Sequence, residues 1–152
     1  MANTKPFVTV ACICEQVLEE PDGVMSAIRI VDTVTIGPPM PPDFVLPQSG
    51  IQGVVTVKGL IALKSGDVVG NGKVELVMHS STGEVVTLSP EDGWPVVMKG
   101  GEHGFQIKIN FVLGVKNFGL IWFDVTWNGE VLTRFPLKLQ QGALPEKTSA
   151  PN

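Results

Sequence analysis

The sequence predicts an all-β fold, an antiparallel sandwich of about eight or nine strands with Greek-key connections. Valine accounts for 22 of the 152 residues, and β-branched side chains fit the pleated surface of a sheet. Hydrophobic and polar residues alternate with period two along most of the chain, and no long segment carries a helical stripe. The 17 glycines and 12 prolines supply turns between strands.

The predicted strands follow one another at short intervals, and each is bounded by turn residues. A first strand at 7–14 and a second at 24–36 flank a turn centred on Asp22-Gly23. Further turns are predicted at 65–67, at 81–83 and around Gly100-Gly101. The remaining strands before the closing segment are predicted at 53–64, 72–79, 83–88, 94–98 and 103–113.

The closing segment, residues 119–139, has the pattern of a β-hairpin. Asn128-Gly129 lies between two extended runs, and this pair readily adopts the positive φ angles of a type I′ turn. The residues expected to face inward on its two arms are Ile121, Phe123 and Val125, then Phe135, Leu137 and Leu139.

The length of the chain is near the usual size of one domain. We expect a single β domain over residues 1–139 and a flexible polar tail over 140–152, which lacks hydrophobic periodicity. Segment 37–50 is rich in proline, which has no N–H for a sheet ladder. It is therefore predicted to be an extended crossover between the two sheets.

The charge of the chain argues against several classes of partner. The net charge is −4, the isoelectric point is near 5.1, and lysine and arginine form no cluster, so we predict no nucleic-acid partner. No stretch approaches the roughly 18 apolar residues of a membrane helix, and the N-terminus lacks a signal-peptide pattern. We therefore expect no membrane partner and a cytoplasmic protein with reduced thiols.

Three features occur in a fixed order along the chain. The first strand contains ACICE at 11–15, an Asp22-Gly23 turn precedes an aliphatic strand with Asp32, and Asn128-Gly129 closes the final hairpin. This order resembles an uncharacterised bacterial family of single-domain, immunoglobulin-like β-sandwich proteins. The resemblance covers about residues 7–139 and implies the fold without implying an activity. The chain departs from true immunoglobulin domains because both cysteines lie in one strand and there is no tyrosine.

Cys12 and Cys14 are the only cysteines, and their spacing places both side chains on one side of the first strand. Their apolar neighbours on that side favour a buried structural role. A zinc site would need two further ligands, and His79 and His103 have no recognised spacing with the cysteines. A small-ligand or metal site near Cys12, Cys14 and Asp32, with or without catalysis, is the alternative.

Asp32 is two residues from both Ile30 and Val34, so in a regular strand its side chain would point to the same face as theirs. We therefore expect it to face inward unless a β-bulge shifts the alternation. A buried carboxylate is a candidate functional residue. The alternative is a structural carboxylate that accepts hydrogen bonds from backbone N–H groups of a neighbouring loop, or one on a bulged edge.

The sequence contains no recognised catalytic motif. There is no G-x-S-x-G elbow, and no two carboxylates have the spacing of a general acid and base pair. Gly100-Gly101 lies between strands and opens no helix that could hold a phosphate. We therefore predict that the protein is not an enzyme and needs no cofactor.

Leu120 and Trp122 alternate with the inward residues of the closing hairpin, so both should lie on its outer face. Tryptophan is a frequent anchor of protein interfaces, and this pair predicts a binding or assembly module that self-associates or binds a partner protein. The alternative is that segment 37–50 covers the face with Met40, Phe44 and Leu46.

Two other tryptophans are weaker candidates for a site. Trp94 lies in a predicted loop and Trp127 lies beside the hairpin turn. If exposed, they could stack on sugars, which makes carbohydrate binding a further hypothesis. Tryptophans at such positions more often fix loops to the core.

Overall fold

The structure is a computed structural model that describes residues 5–37, 51 and 53–142. These residues form eight β-strands and no helix, and 77% of them lie in strands, so the all-β prediction is confirmed. The strands are β1 (Phe7–Glu19), β2 (Met25–Ile30), β3 (Thr33–Ile36), β4 (Gly53–His79), β5 (Val85–Thr87), β6 (Trp94–Val115), β7 (Gly119–Trp127) and β8 (Glu130–Gln141).

β4 and β6 form one long antiparallel ribbon, paired from Gly53 opposite Val115 to Val74 opposite Trp94. The sequence predicted two strands in each of these segments, with turns at 65–67 and around Gly100-Gly101. These turns are instead bulges inside continuous strands, because the register shifts on either side of Gly66. Gly66 pairs with Gly101, and both have positive φ angles, +58° and +60°, which few other residues adopt readily.

All eight strands belong to one sheet that curls into a half-barrel. Its strand order is β2-β1-β4-β7-β8-β3, and β5 and β6 also pair with β4. The sheet is mixed, because β3 runs parallel to β8. The predicted purely antiparallel pairing is therefore wrong for this strand pair.

The predicted strand 24–36 is divided into β2 and β3. Arg29 has a φ of +53°, an uncommon conformation for a side-chain-bearing residue, and Val31 and Asp32 lie between the two strands. β2 pairs with β1, whereas β3 pairs with β8, so the break allows the chain to move from one end of the sheet to the other.

The concave side of the sheet holds the main hydrophobic core. Phe123 and Phe135 stack there with ring centroids 5.2 Å apart, and Trp127 is 5% exposed. A side chain at Gly72 would collide with the Trp127 ring, so this glycine leaves room for the indole. The largest fully buried members of the core are Phe123, Ile61, Leu63, Leu76, Met98 and Leu137.

The closing hairpin is confirmed. Asn128 and Gly129 have φ angles of +48° and +85°, as a type I′ turn requires. The register between its arms shifts once, between Val125 and Thr126. This shift places Arg134 opposite Asp124.

Two predicted segments lie outside the described residues. They are residues 38–50 of the proline-rich crossover and residues 143–152 of the tail. β8 continues to Gln141, two residues past the predicted domain boundary at 139. No helix in the described part of the chain is long and apolar enough to cross a membrane.

Candidate functional site

A buried carboxylate lies on the convex side of the sheet. Asp124 is 4% exposed and accepts two hydrogen bonds from Arg134, from Nε to Oδ1 at 2.6 Å and from Nη2 to Oδ2 at 2.9 Å. His79 Nε2 lies 2.8 Å from the same Oδ2. Both carboxylate oxygens are therefore engaged: Oδ1 contacts Arg134 only, and Oδ2 contacts both Arg134 and His79.

The electrostatics of this cluster follow from its hydrogen bonds. The Arg134 guanidinium lowers the pKa of Asp124, and this effect and that of His79 together outweigh the opposing effect of burial. In turn, the Asp124 carboxylate raises the pKa of Arg134. Asp124 is thus an anion at neutral pH, and it holds the cationic head of Arg134 in a fixed orientation.

Three adjacent strands bring these residues together. Val77 on β4, Asp124 on β7 and Arg134 on β8 form one cross-strand row. The next row on the same face of these strands, two residues further along, consists of His79, Trp122 and Pro136. His79 therefore reaches Asp124 diagonally, a separation that long side chains can span in an antiparallel sheet.

The exposed surface beside the cluster combines an aromatic side chain with cations. We call it the outer face, and it consists of His79, Leu120, Trp122, Arg134, Pro136 and Lys138. As predicted, Leu120 and Trp122 lie outward, with exposed fractions of 44% and 36%. Lys138 lies directly opposite Leu120, in the row beyond Trp122.

The outer face carries a local excess of positive charge. Asp124 is neutralised by Arg134, and no described acidic side chain forms an ion pair with Lys138. The nearby acidic residue Glu75, on β4, is itself paired with Lys73, with 2.8 Å between Glu75 Oε1 and Lys73 Nζ. The face can therefore attract an anion even though the whole chain is acidic.

Cys12, Cys14 and Asp32 do not form the predicted metal site in the described part of the chain. Cys12 and Cys14 are buried in a small apolar cluster with Val17 and Leu60, and burial raises the pKa of both thiols. Neutral buried thiols are poor nucleophiles and poor metal ligands. The described residues contain no group of three His, Cys, Asp or Glu side chains that could hold a metal ion.

The inward orientation expected for Asp32 is wrong. Its side chain is exposed, because Asp32 lies in the two-residue link between β2 and β3, where the alternation of a strand does not apply. Its backbone carbonyl accepts a hydrogen bond from the Lys138 N–H at 2.9 Å. The residue therefore links β3 to β8 through its main chain, and it does not join the two cysteines.

The two weaker tryptophan candidates do not form an exposed platform. Trp127 is buried against Gly72, and Trp94 is half-buried and packs against the main core at the start of β6. Both side chains fix the ribbon of β4 and β6 to the rest of the sheet. They leave Trp122 as the most exposed of the three tryptophans.

The cluster of His79, Asp124 and Arg134 is absent from the sequence predictions. Alternation placed His79 and Asp124 on the polar sides of their strands, but it does not show which strands are neighbours. One signal was present for Arg134. In a hairpin with a two-residue turn, each odd-numbered residue of one arm lies opposite an even-numbered residue of the other arm. The residues predicted to face inward have odd numbers on both arms. They can share one face only if one arm contains a one-residue bulge.

No family model matches the chain, and no curated protein matches it. Among solved structures, it is similar to the Pseudomonas fluorescens alkylpurine DNA glycosylase AlkC bound to DNA containing an abasic site analog, with a TM-score of 0.50. The two sequences are 11% identical, and the match covers 91% of this chain. This chain spans only 31% of the length of that protein, and at this identity the likeness concerns the fold.

This likeness contradicts two sequence predictions. The fold occurs in a protein whose structure contains bound DNA, so the exclusion of nucleic acid is wrong. The assignment of a module for self-association or protein binding, with its ligand and carbohydrate alternatives, is wrong as well. The prediction used the net charge of the whole chain, which does not show that Arg134 and Lys138 lie on one face.

Proposed function

We propose that this chain is a DNA-binding domain that contacts DNA through the outer face. The observation that carries the proposal is the exposed Trp122, with Arg134 and Lys138 in the rows on either side of it. Arginine and lysine supply the phosphate contacts that dominate nucleic-acid affinity, and an exposed aromatic ring can stack on a base. The similarity to a DNA-bound protein supports the same assignment.

The proposal concerns binding and not the glycosylase activity of AlkC. This chain matches less than a third of that protein, and both oxygens of its buried carboxylate are engaged by Arg134 and His79. A carboxylate so paired is a weak base. We therefore keep the absence of enzymatic activity as part of the proposal.

The charge of the chain sets the expected strength of binding. Few phosphate contacts and a net charge of −4 predict weak, salt-sensitive binding, with a Kd in the range of about 10⁻⁴ to 10⁻⁶ M. Raising the salt concentration should weaken the complex, because bound phosphates release their counterions.

The test is fluorescence anisotropy of labelled DNA at low salt, with single strands and duplexes titrated separately. We expect Lys138→Ala to weaken binding by roughly 3- to 10-fold, because it removes a phosphate contact. Lys108→Ala, which removes the same charge from an exposed position on β6, is the matched control and should have little effect.

Two results would contradict the proposal. One is no anisotropy change with either form of DNA for the wild-type protein. The other is an equal loss of affinity in the Lys138 and Lys108 variants, since that would show general attraction by total charge rather than contact through the outer face.

The immunoglobulin-like classification and the cytoplasmic location also remain proposals. The free thiols of Cys12 and Cys14 support a reducing compartment. Fractionation of the host cell with an antibody against the chain tests the location, and recovery outside the cytoplasm would contradict it.

A further inference from the structure

The geometry of the outer face points to a more specific ligand, and this inference rests on the proposed function. We propose that the face binds single-stranded DNA, with one base stacked on Trp122 and the phosphates on its two sides bound by Arg134 and Lys138.

The register of the hairpin sets the spacing of these groups. Pro136 lies directly opposite Trp122, and Arg134 and Lys138 lie two residues before and after Pro136 on the same face of β8. Two residues of a strand span roughly 7 Å, so the backbone positions of Arg134 and Lys138 lie at similar distances on either side of Pro136, the partner of Trp122. The face therefore presents the Asp124-paired guanidinium of Arg134 and the ammonium of Lys138 along β8, with the Trp122 ring on β7 beside the position between them.

Asp124 fixes the orientation of the Arg134 side chain in a position where it can bind an anion. Its Nε and Nη2 donate to the carboxylate, and no described residue hydrogen bonds to its Nη1. The Arg134 side chain is 53% exposed, so the free edge of the guanidinium is accessible to solvent. Because Asp124 already fixes the orientation, little side-chain entropy is lost when a phosphate binds.

The shape of the face favours a single strand over a duplex. Trp122 stands on a sheet rather than on a projecting loop, and it is flanked by the proline ring of Pro136 and by His79. The base faces of a duplex are covered by stacking, so such a tryptophan cannot reach them without opening the helix. In a single strand the base faces are free, and stacking on tryptophan tolerates any base.

The experiment compares a labelled oligothymidylate of about 12 nucleotides with the same strand paired to its complement. We expect the single strand to bind at least about 10-fold more tightly, because stacking contributes only there. Trp122→Ala should lower single-strand affinity by roughly 10- to 100-fold without changing the salt dependence. Ile30→Ala removes a more exposed apolar side chain, 71% exposed on β2, and serves as the control.

The salt dependence separates the two kinds of contact. Lys138→Ala should lower the slope of log K against log salt by about 0.7, the value for one phosphate of a single strand. Trp122→Phe keeps an aromatic ring and should retain most of the affinity, which guards against a loss caused by misfolding of the alanine variant.

The outcomes distinguish the two proposals. Equal or tighter binding of the duplex overturns the single-strand inference and leaves the DNA-binding function standing. If neither form binds the wild-type protein, the proposed function fails together with the inference. Unchanged single-strand affinity in Trp122→Ala overturns the stacking contact.

Discussion

At the scale of single residues, Asp124 decides the character of the outer face. A carboxylate that is 4% exposed is stable only because Arg134 and His79 share its two oxygens. Removal of its charge would leave the guanidinium without its partner, and it would also release the side chain that we expect to bind phosphate. Structure and binding therefore depend on the same residue.

Asp124→Asn should destabilise the fold by about 2 kcal/mol, below the usual cost of breaking a fully buried ion pair because Arg134 is half exposed. Urea denaturation measures the change. Glu102→Gln, which breaks the exposed pair with Lys64, is the control and should destabilise the fold much less than Asp124→Asn. Equal costs for the two variants would contradict a structural role for the cluster.

The stabilisation by Asp124 should depend on pH. Because its pKa is lower in the folded state, the contribution is complete above the unfolded value of about 3.9 and is lost as the pH falls through the folded pKa. The stability difference between wild type and Asp124→Asn should therefore be large at neutral pH and shrink in strong acid. A difference that stays constant from neutral pH to strong acid would show that Asp124 stabilises the fold in some other way.

At the scale of strands, the packing of β4 against β7 depends on the absence of a side chain at Gly72. A β-carbon there would meet the Trp127 ring, so Gly72→Ala should cost about 1–3 kcal/mol through overpacking. The neighbouring exposed Asn71 gives a matched control, since Asn71→Ala should change stability by less than about 0.5 kcal/mol. Thermal unfolding compares the two, and a stable Gly72→Ala protein would show that Trp127 can move.

Local patterns predicted the individual strands well but not their continuity. Alternation identified residues 103–113 and the Asn128-Gly129 hairpin, since both depend on neighbours in the sequence. It divided β4 at residues 65–67, because glycine in a bulge and glycine in a turn have the same local signature. The difference lies in the pairing with Gly101, which is distant in the sequence.

The candidate site was only partly predictable for the same reason. Alternation alone placed Trp122 on the outer surface, which the structure confirms. The approach of His79 to Asp124 depends on β4 lying next to β7, and strand order is a property of the whole sheet. The Arg134 contact depends in addition on the bulge in the hairpin.

At the scale of the whole molecule, the distribution of charge matters more than its sum. A net charge of −4 indicates no general attraction to DNA, and it led to the wrong exclusion of nucleic acid. The curled sheet places Arg134 and Lys138 on one side, and Asp124 is neutralised there. Binding should therefore be confined to the outer face and should weaken with salt.

The most direct test of DNA binding through the outer face is an NMR titration of the indole N–H signals with single-stranded DNA. The chain has three tryptophans, so each signal can be assigned with single substitutions. If DNA binds through the outer face, the Trp122 signal should shift progressively and the Trp127 signal should change little, because Trp127 is buried in the core. An unmoved Trp122 signal at saturating DNA, or shifts confined to Trp94 and Trp127, would contradict binding through the outer face.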